Sequence, residues 1–258
     1  MRIITYSDLH LEFGTDFRPP DQQEVGVMLL AGDIITFRDY EPLNQFLSDW
    51  TKPVIFVAGN HEYYTDTPMT TEAKNFKNWL KESHPNVHFL QDEAITIDGV
   101  HFFGGTMWTD FQHASEDAML EAMARMNDYR YIKMEYGARL TPSDTIKLHD
   151  DFVQKITDWF EADLIGKRVV ITHHAPVINP MSKYIASPLT AAFNSTDMIP
   201  IIEQYQPDLW IYGHTHEGDD HTIAKTRIIS NQLGYPNRSG GYECGDFDTS
   251  GKIIKLGE

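Results

Sequence analysis

Short apolar runs recur along this chain, and most of them stop abruptly at polar residues. Arg2–Tyr6, residues 26–31 and residues 54–58 are largely apolar stretches of strand length, the last rich in β-branched residues, and each predicts a buried strand. Between the second and third, Leu43, Phe46, Leu47 and Trp50 return at helical spacing, so residues 40–50 predict a crossover helix. Residues 71–83 predict another helix, with Phe76, Trp79 and Leu80 on one face. Shorter β-like runs follow at Val87–Leu90, 94–97 and 100–103, with Asp98-Gly99 as the hairpin turn between the last two. Thr141-Pro142-Ser143-Asp144 is a helix start, because threonine can cap and proline suits the first helical position. That helix runs toward Phe160 behind a stripe of Phe152, Ile156, Trp159 and Phe160. Lys167–Thr172 and Leu209–Tyr212 predict two more strands, separated by a Pro-punctuated loop over 175–188 and a helix reaching Tyr205. Residues 222–230 and 253–256 read as closing strands.

Alternating strands and helices without a repeat, a low-complexity tract or a linker predict one α/β domain over residues 1–258. One segment breaks the alternation. Residues 106–136 are rich in methionine, aromatic and charged residues and are partly helical in pattern. This segment reads either as core or as a cap insertion at about 106–140. As a cap, it makes Arg125, Arg130 and Lys133 candidates to meet a distal charge, and Trp108, Tyr129 and Tyr131 candidates to stack on a ring. The loop at 175–188, with Tyr184, is a second candidate wall.

Composition narrows the setting. A chain of 258 residues with 41% hydrophobic residues can bury a large core. No apolar run approaches the roughly 20 residues that span a bilayer, and the first residues lack the apolar core of a signal peptide. Cys244 is the only cysteine, which rules out an intrachain disulfide and fits a reducing, cytoplasmic compartment. Without a histidine or cysteine neighbour in sequence, it reads as a bystander. A net charge of −17 repels polyanions at long range, which counts against extended nucleic acid and anionic membrane surfaces. A small phosphorylated substrate stays open, because a metal centre can dominate the local field. Nothing in the pattern speaks to oligomeric state.

The chemistry lies where the strands stop. Asp8 and His10 follow the first strand, Asp33 the second, and Gly59-Asn60-His61-Glu62 the third. His173-His174 and then His214 and His216 follow the two later strands. Residues i and i+2 of an extended chain share a face, which would aim Asp8 with His10, and His214 with His216, at a common point. Two aspartates, three or four histidines and an asparagine amide exceed what one tetrahedral zinc needs. They suit two borderline divalent or trivalent ions, manganese, iron or zinc, sharing a carboxylate. Such a pair can hold a hydroxide and neutralise the oxygens of a phosphate.

Asp8-x-His10, Gly32-Asp33, Gly59-Asn60-His61-Glu62, His173-His174 and Gly213-His214-Thr215-His216, in that order, resemble the calcineurin-like metallophosphoesterase superfamily. The resemblance implies two mixed β-sheets packed as a sandwich with flanking helices. It implies a binuclear hydrolase of phosphate mono- or diesters, with a metal-bridging hydroxide as nucleophile. Carried onto this chain, Asp8, His10 and His216 hold the first metal, Asn60, His173 and His214 hold the second, and Asp33 bridges both. His61 then contacts the phosphate or protonates the leaving oxygen, as an imidazolium beside developing charge can do. His174 reads as either a structural histidine or a phosphate-facing donor, and Arg130 as a substrate contact.

The chain also departs from that pattern. Phosphoprotein phosphatases of the superfamily carry Gly-Asp-x-x-Asp-Arg-Gly, whose second aspartate orients the catalytic histidine. Here Thr36 takes that place, and Arg38 falls one position late. A phosphoprotein phosphatase, or a non-catalytic binding module on the same fold, are the alternative readings. Glu62 reads as a helix N-terminal or surface carboxylate, and His84, His88, His101, His113, His149 and His221 as surface or packing residues.

Overall fold

A computed structural model of the chain describes residues 1–14, 17–21 and 24–257. Its strands are β1 (Arg2–Tyr6), β2 (Val27–Ala31), β3 (Val54–Val57), β4 (Val87–Leu90), β5 (Glu93–Ile97) and β6 (Val100–Gly105). They continue as β7 (Lys167–Thr172), β8 (Leu209–Tyr212), β9 (Asp219–Ile223), β10 (Thr226–Ser230) and β11 (Ile254–Lys255). One sheet runs β11-β1-β2-β3-β4 and the other β5-β6-β7-β8-β10-β9. Each is parallel at its centre with antiparallel strands at its margins, β11 in the first sheet and β5 and β9 in the second. These are the two mixed sheets with flanking helices that the resemblance implies.

Period-two alternation explains the layers. Ile3, Val27, Leu29, Ile55 and Val57 of the first sheet face Phe102, Val169, Ile171, Leu209 and Ile211 of the second. The residues between them point outward and are covered by helices instead. Ile4, Tyr6, Met28, Leu30 and Phe56 join Leu43, Phe46, Phe76 and Leu80, while Val170, Trp210 and Ile228 join Phe152, Ile156, Met198 and Ile202. Strands buried on both faces read as unbroken apolar runs, so the polar residues of the chain collect at their ends. The register carries this through: Ala31 pairs with Val57 and Tyr6 with Leu30, which brings the residues after β1, β2 and β3 to one edge.

Local signals hold in most places. Thr141 accepts from the Asp144 amide and Asp144 from the Thr141 amide, a capping box that starts the helix Pro142–Glu161. The closing region differs from expectation. Residues 222–230 are the greater part of a β9–β10 hairpin, not one strand, because Ala224 turns left-handed (φ 52°) between them. Alanine gives no turn signal, so the break is not visible in the pattern. The segment after Thr106 packs inward as well as lining the site. Trp108, Ala122, Met126, Tyr129 and Ile132 are buried in the larger helix-covered core, which takes Trp108 and Tyr129 out of the set that can stack on a ligand. Among the described residues no helix is long and apolar enough to cross a membrane.

Candidate metal centre

The carboxyl ends of β1, β2 and β3 meet those of β7 and β8 across the sandwich, and the strand-end residues converge there. The convergence has a different cause from the one the sequence suggests. Asp8 (φ 52°), His10 (φ 45°), Asp33 (φ 53°), His214 (φ 71°) and His216 (φ 49°) are all left-handed, so tight turns and not extended alternation aim them. Left-handed backbone is costly for residues with a Cβ and is found where surroundings over-determine it. Space is equally tight. A Cβ at Gly59 would run into Asp33 Oδ1 and His173 Cε1, so only glycine lets these loops approach.

Two donor clusters result. In the first, His10 Nε2 and His216 Nε2 lie 3.5 Å apart, with Asp8 Oδ1 3.4 Å from His216 Nε2. In the second, His173 Nε2 lies 3.0 Å from Asn60 Oδ1 and 3.1 Å from His214 Nδ1. Asp33 stands between them, its Oδ2 3.9 Å from His10 Nε2 and its Oδ1 3.3 Å from His173 Nε2. Each of the seven residues expected to hold metal is in one of these clusters.

The nitrogens facing inward are set by what the other ring nitrogens do. His173 Nδ1 donates to the Ala31 carbonyl (2.9 Å), which leaves the Nε2 lone pair for the centre. His10 Nδ1 faces Glu12 at 3.4 Å and His216 Nδ1 faces Glu243, with the same consequence. His214 is reversed, presenting Nδ1 inward while its Nε2 is buried without a partner among the described residues. Asn60 is fixed too: its amide donates to Asp128 Oδ1 (2.9 Å) and to the Tyr64 hydroxyl (3.0 Å), turning its oxygen toward His173. Lone pairs packed this closely repel unless a proton or a metal ion lies among them. The set of imidazole, carboxylate and amide oxygen without thiolate fits borderline ions such as manganese, iron or zinc.

Electrostatics agrees with that fit. Burial raises the Asp33 carboxyl, but His173, His61 and His10 outweigh it and hold it well below the usual range. Burial alone would lower His173, yet Asp33 and Asp8 push it up to about 9. His216 is likewise pushed up to about 10 by Asp8 and Glu243 against burial. His214 and His174 go the other way, held well below their usual value by burial and by the neighbouring imidazoles.

Glu62 is fully buried, contrary to a surface role. Its Oε2 accepts from the Gly59 (2.7 Å) and Asp33 (2.9 Å) amides, and its Oε1 from those of Ile34 (2.8 Å) and Ile35 (3.2 Å). One carboxylate thus ties the turn after β2 to the turn after β3. Burial and the nearby Asp33 charge push Glu62 up to about 8, against these amides, which favour the charged form.

His61 stands beside both clusters. Its backbone amide donates to Asp33 Oδ1 (2.9 Å), its Nδ1 lies 3.3 Å from Glu12 Oε1, and its Nε2 lies 2.7 Å from the Tyr235 hydroxyl. Burial lowers His61, but Asp33 and Glu12 outweigh it and raise it. His174 is buried with Nδ1 on the Thr106 carbonyl (3.2 Å) and its ring 5.1 Å from that of Trp108, so it braces the floor from behind. Arg130 does not reach the site. Its guanidinium donates to the Ala124 carbonyl (2.7 Å), closing the end of the helix Glu116–Arg125, and it is exposed. Arg125 lines the cavity instead.

That cavity, of about 270 Å³, opens above the centre. Asp33, Asn60, His214 and His216 form its floor, and Arg125, Asn127 and Asp128 one wall. Tyr184, Leu189 and Phe193 add an apolar side. Glu12, Asp128, Tyr235 and Glu243 are functional candidates that sequence reasoning missed. Only Glu12 carried a signal, since it continues the alternate spacing of Asp8 and His10.

Compared with known families, residues 1–218 match the calcineurin-like phosphoesterases. The chain belongs to that family. Among curated proteins, this chain is 29% identical over 265 residues to an uncharacterized protein of Acanthamoeba polyphaga mimivirus, covering 91% of this chain and 92% of the other. It is 23% identical over 227 residues to a UPF0046 protein of Caenorhabditis elegans, covering 84% of this chain and 64% of the other. Among solved structures, phosphopantetheinyl hydrolase from Mycobacterium tuberculosis shares the fold with a TM-score of 0.69 at 18% identity, over 90% of this chain and 89% of that one. Tyr235 and Glu243 lie beyond the residues that the family match spans.

Proposed function

We propose that this member of the calcineurin-like phosphoesterase family is a binuclear metal-dependent hydrolase of small phosphate mono- or diesters. The observation that carries the proposal is the position of Asp33, whose two oxygens face two separate clusters of inward-pointing lone pairs. Asp8, His10 and His216 would hold one ion, Asn60, His173 and His214 the other, and Asp33 both. Two bound ions of manganese, iron or zinc supply a nucleophilic hydroxide and neutralise phosphate oxygens. The chain supplies the rest. His61 presents Nε2 beside the centre to donate a proton to the leaving oxygen. Glu62 and the backbone it holds fix the floor, and residues 125–128 with Tyr184 wall the substrate, as a cap insertion would.

The size of the cavity and the net charge of −17 favour a small substrate over extended nucleic acid or a membrane surface. The lone cysteine favours a cytoplasmic setting. A phosphoprotein phosphatase is the weaker reading, because Arg38 Nε donates to the Tyr64 carbonyl (2.6 Å) and the side chain is exposed outside the cavity wall.

The test is to load the protein with manganese, iron or zinc and assay generic phosphomonoesters and phosphodiesters alongside metal content. Turnover with two ions per chain is expected. His61→Ala should keep the metals and lose about 10²- to 10⁴-fold in kcat for a poor leaving group. No turnover in any metal form, with fewer than two ions bound, overturns the reading and leaves a binding module. A His61→Ala protein that empties of metal overturns the division of roles.

A further inference from the structure

His61 lacks the aspartate that phosphoprotein phosphatases of the superfamily set beside the corresponding histidine, because Thr36 stands at that place in the chain. A carboxylate reaches its ring from another element. Glu12 lies in the short turn Leu11–Phe13 just after β1, where His10 is left-handed (φ 45°) and sends the chain back across the site. Its Oε1 faces His61 Nδ1 at 3.3 Å and His10 Nδ1 at 3.4 Å, and the two rings lie 4.5 Å apart, edge to face. The carboxylate is mostly buried, with its side chain 15% exposed, and Oε2 is buried without a partner among the described residues. Among the described residues, the side-chain partners of this carboxylate are thus two imidazoles.

We infer that Glu12 is the positioning residue of His61, and that through the same oxygen it ties His61 to His10 of the first donor cluster. With Nδ1–H held by Glu12, the lone pair or acidic proton of His61 is at Nε2, the nitrogen on the Tyr235 side beside the cavity. With His10 Nδ1–H held by the same atom, His10 Nε2 faces His216 and the first cluster. One carboxylate therefore orients a ligand and the group that serves the leaving oxygen, which keeps them in register. This assignment rests on the phosphoesterase reading of the site.

Metal-saturated protein should be assayed on phenyl phosphate and on p-nitrophenyl phosphate, whose leaving group needs little protonation. Glu12→Ala is expected to lower kcat for phenyl phosphate on the order of 10- to 100-fold, with a much smaller loss for p-nitrophenyl phosphate and KM little changed. Glu12→Gln, which keeps a carbonyl acceptor and the shape, should recover part of the loss and serves if the alanine variant does not fold. With both metal sites kept saturated, so that the Glu12 contact to His10 does not limit occupancy, Glu12→Ala combined with His61→Ala should be no slower than His61→Ala alone, because residues that act as a unit are not additive. Imidazole ¹⁵N spectra of the zinc-loaded protein give a readout free of turnover: Glu12→Ala should shift His61 away from the Nδ1–H form. Equal losses on both substrates, an additive double variant, or an unchanged His61 tautomer each overturn the inference. Wild-type protein that hydrolyses neither substrate defeats the phosphoesterase reading instead, so the two failures are distinct.

Discussion

The buried His149 and the buried histidines of the strand ends each face carboxylates, and the two arrangements are built to opposite ends. At His149 both ring nitrogens are spent, Nδ1 on the Met107 carbonyl (3.2 Å) and Nε2 on Asp197 (3.0 Å), with Ser195 donating to the same carboxylate (2.7 Å). At the strand ends each imidazole spends one nitrogen on the protein, or buries it unpartnered in the case of His214, and turns the other toward atoms that also carry lone pairs. The first arrangement is complete as it stands, while the second needs a cation. Burial of the imidazole does not separate the two; unspent valence does.

Asp33 is where the contrast should break most severely. Asp33→Asn replaces one of the two oxygens by a donor, so one cluster loses its anionic member. Elemental analysis should find fewer than two ions per chain. Activity should fall by more than the ~100-fold that loss of an outer partner of a ligand typically costs. A variant that keeps two ions and full turnover would show that the clusters do not depend on a shared carboxylate.

Asp128 tests a milder version of the same point. It is buried, reaches the site from the segment that interrupts the strand–helix alternation, and holds the amide of Asn60. Asp128→Ala leaves that amide held by the Tyr64 hydroxyl alone, and metal affinity at the cluster of Asn60, His173 and His214 should fall about 10- to 100-fold. Asp128→Asn keeps a carbonyl acceptor and should restore most of it. Equal affinity in all three proteins, by competition with a chelator, would mean that Asn60 needs no such partner.

How much of this was legible follows from where the residues sit. Asp8, His10, Asp33, Asn60, His173, His214 and His216 each end an apolar run, and strands buried on both faces have nowhere else to put them. The fold follows from the same runs. What holds the ligands was not legible. Asp128 opens a one-turn helix and Glu243 lies in an irregular segment, and the arrival of both at the site depends on tertiary packing that leaves no period in the sequence. Glu62 has an exposed residue's composition and a buried residue's task, which only its four amide contacts reveal. Arg130 had a plausible charge but a nearer partner in the carbonyl of Ala124.

The smallest effect is expected at the completed cluster, and it is one of stability and not of function. Burial lowers His149, but Asp197, with Asp110 behind it, outweighs burial and raises it above its ordinary 6.5. Burial raises Asp197, but His149 and Ser195 outweigh it and hold it below 3.8. A histidine raised on folding contributes its full stabilisation below pH 6.5 and loses it as pH climbs through the folded value. The aspartate contributes fully above 3.8 and loses it as pH falls through its own depressed value. The pair is therefore worth most between these limits. Asp197→Asn should cost roughly 1.5–3 kcal/mol near pH 5.5, a hydrogen bond to a charged group. The deficit should shrink as pH rises above the folded value of His149. Denaturant unfolding of metal-free wild-type and variant protein across that range isolates the pair by difference. Metal content and turnover should not change, because no nitrogen of His149 is left to offer a metal. If Asp197→Asn emptied the metal centre while sparing stability, the two clusters would be coupled, and unspent valence would no longer separate a site from a brace.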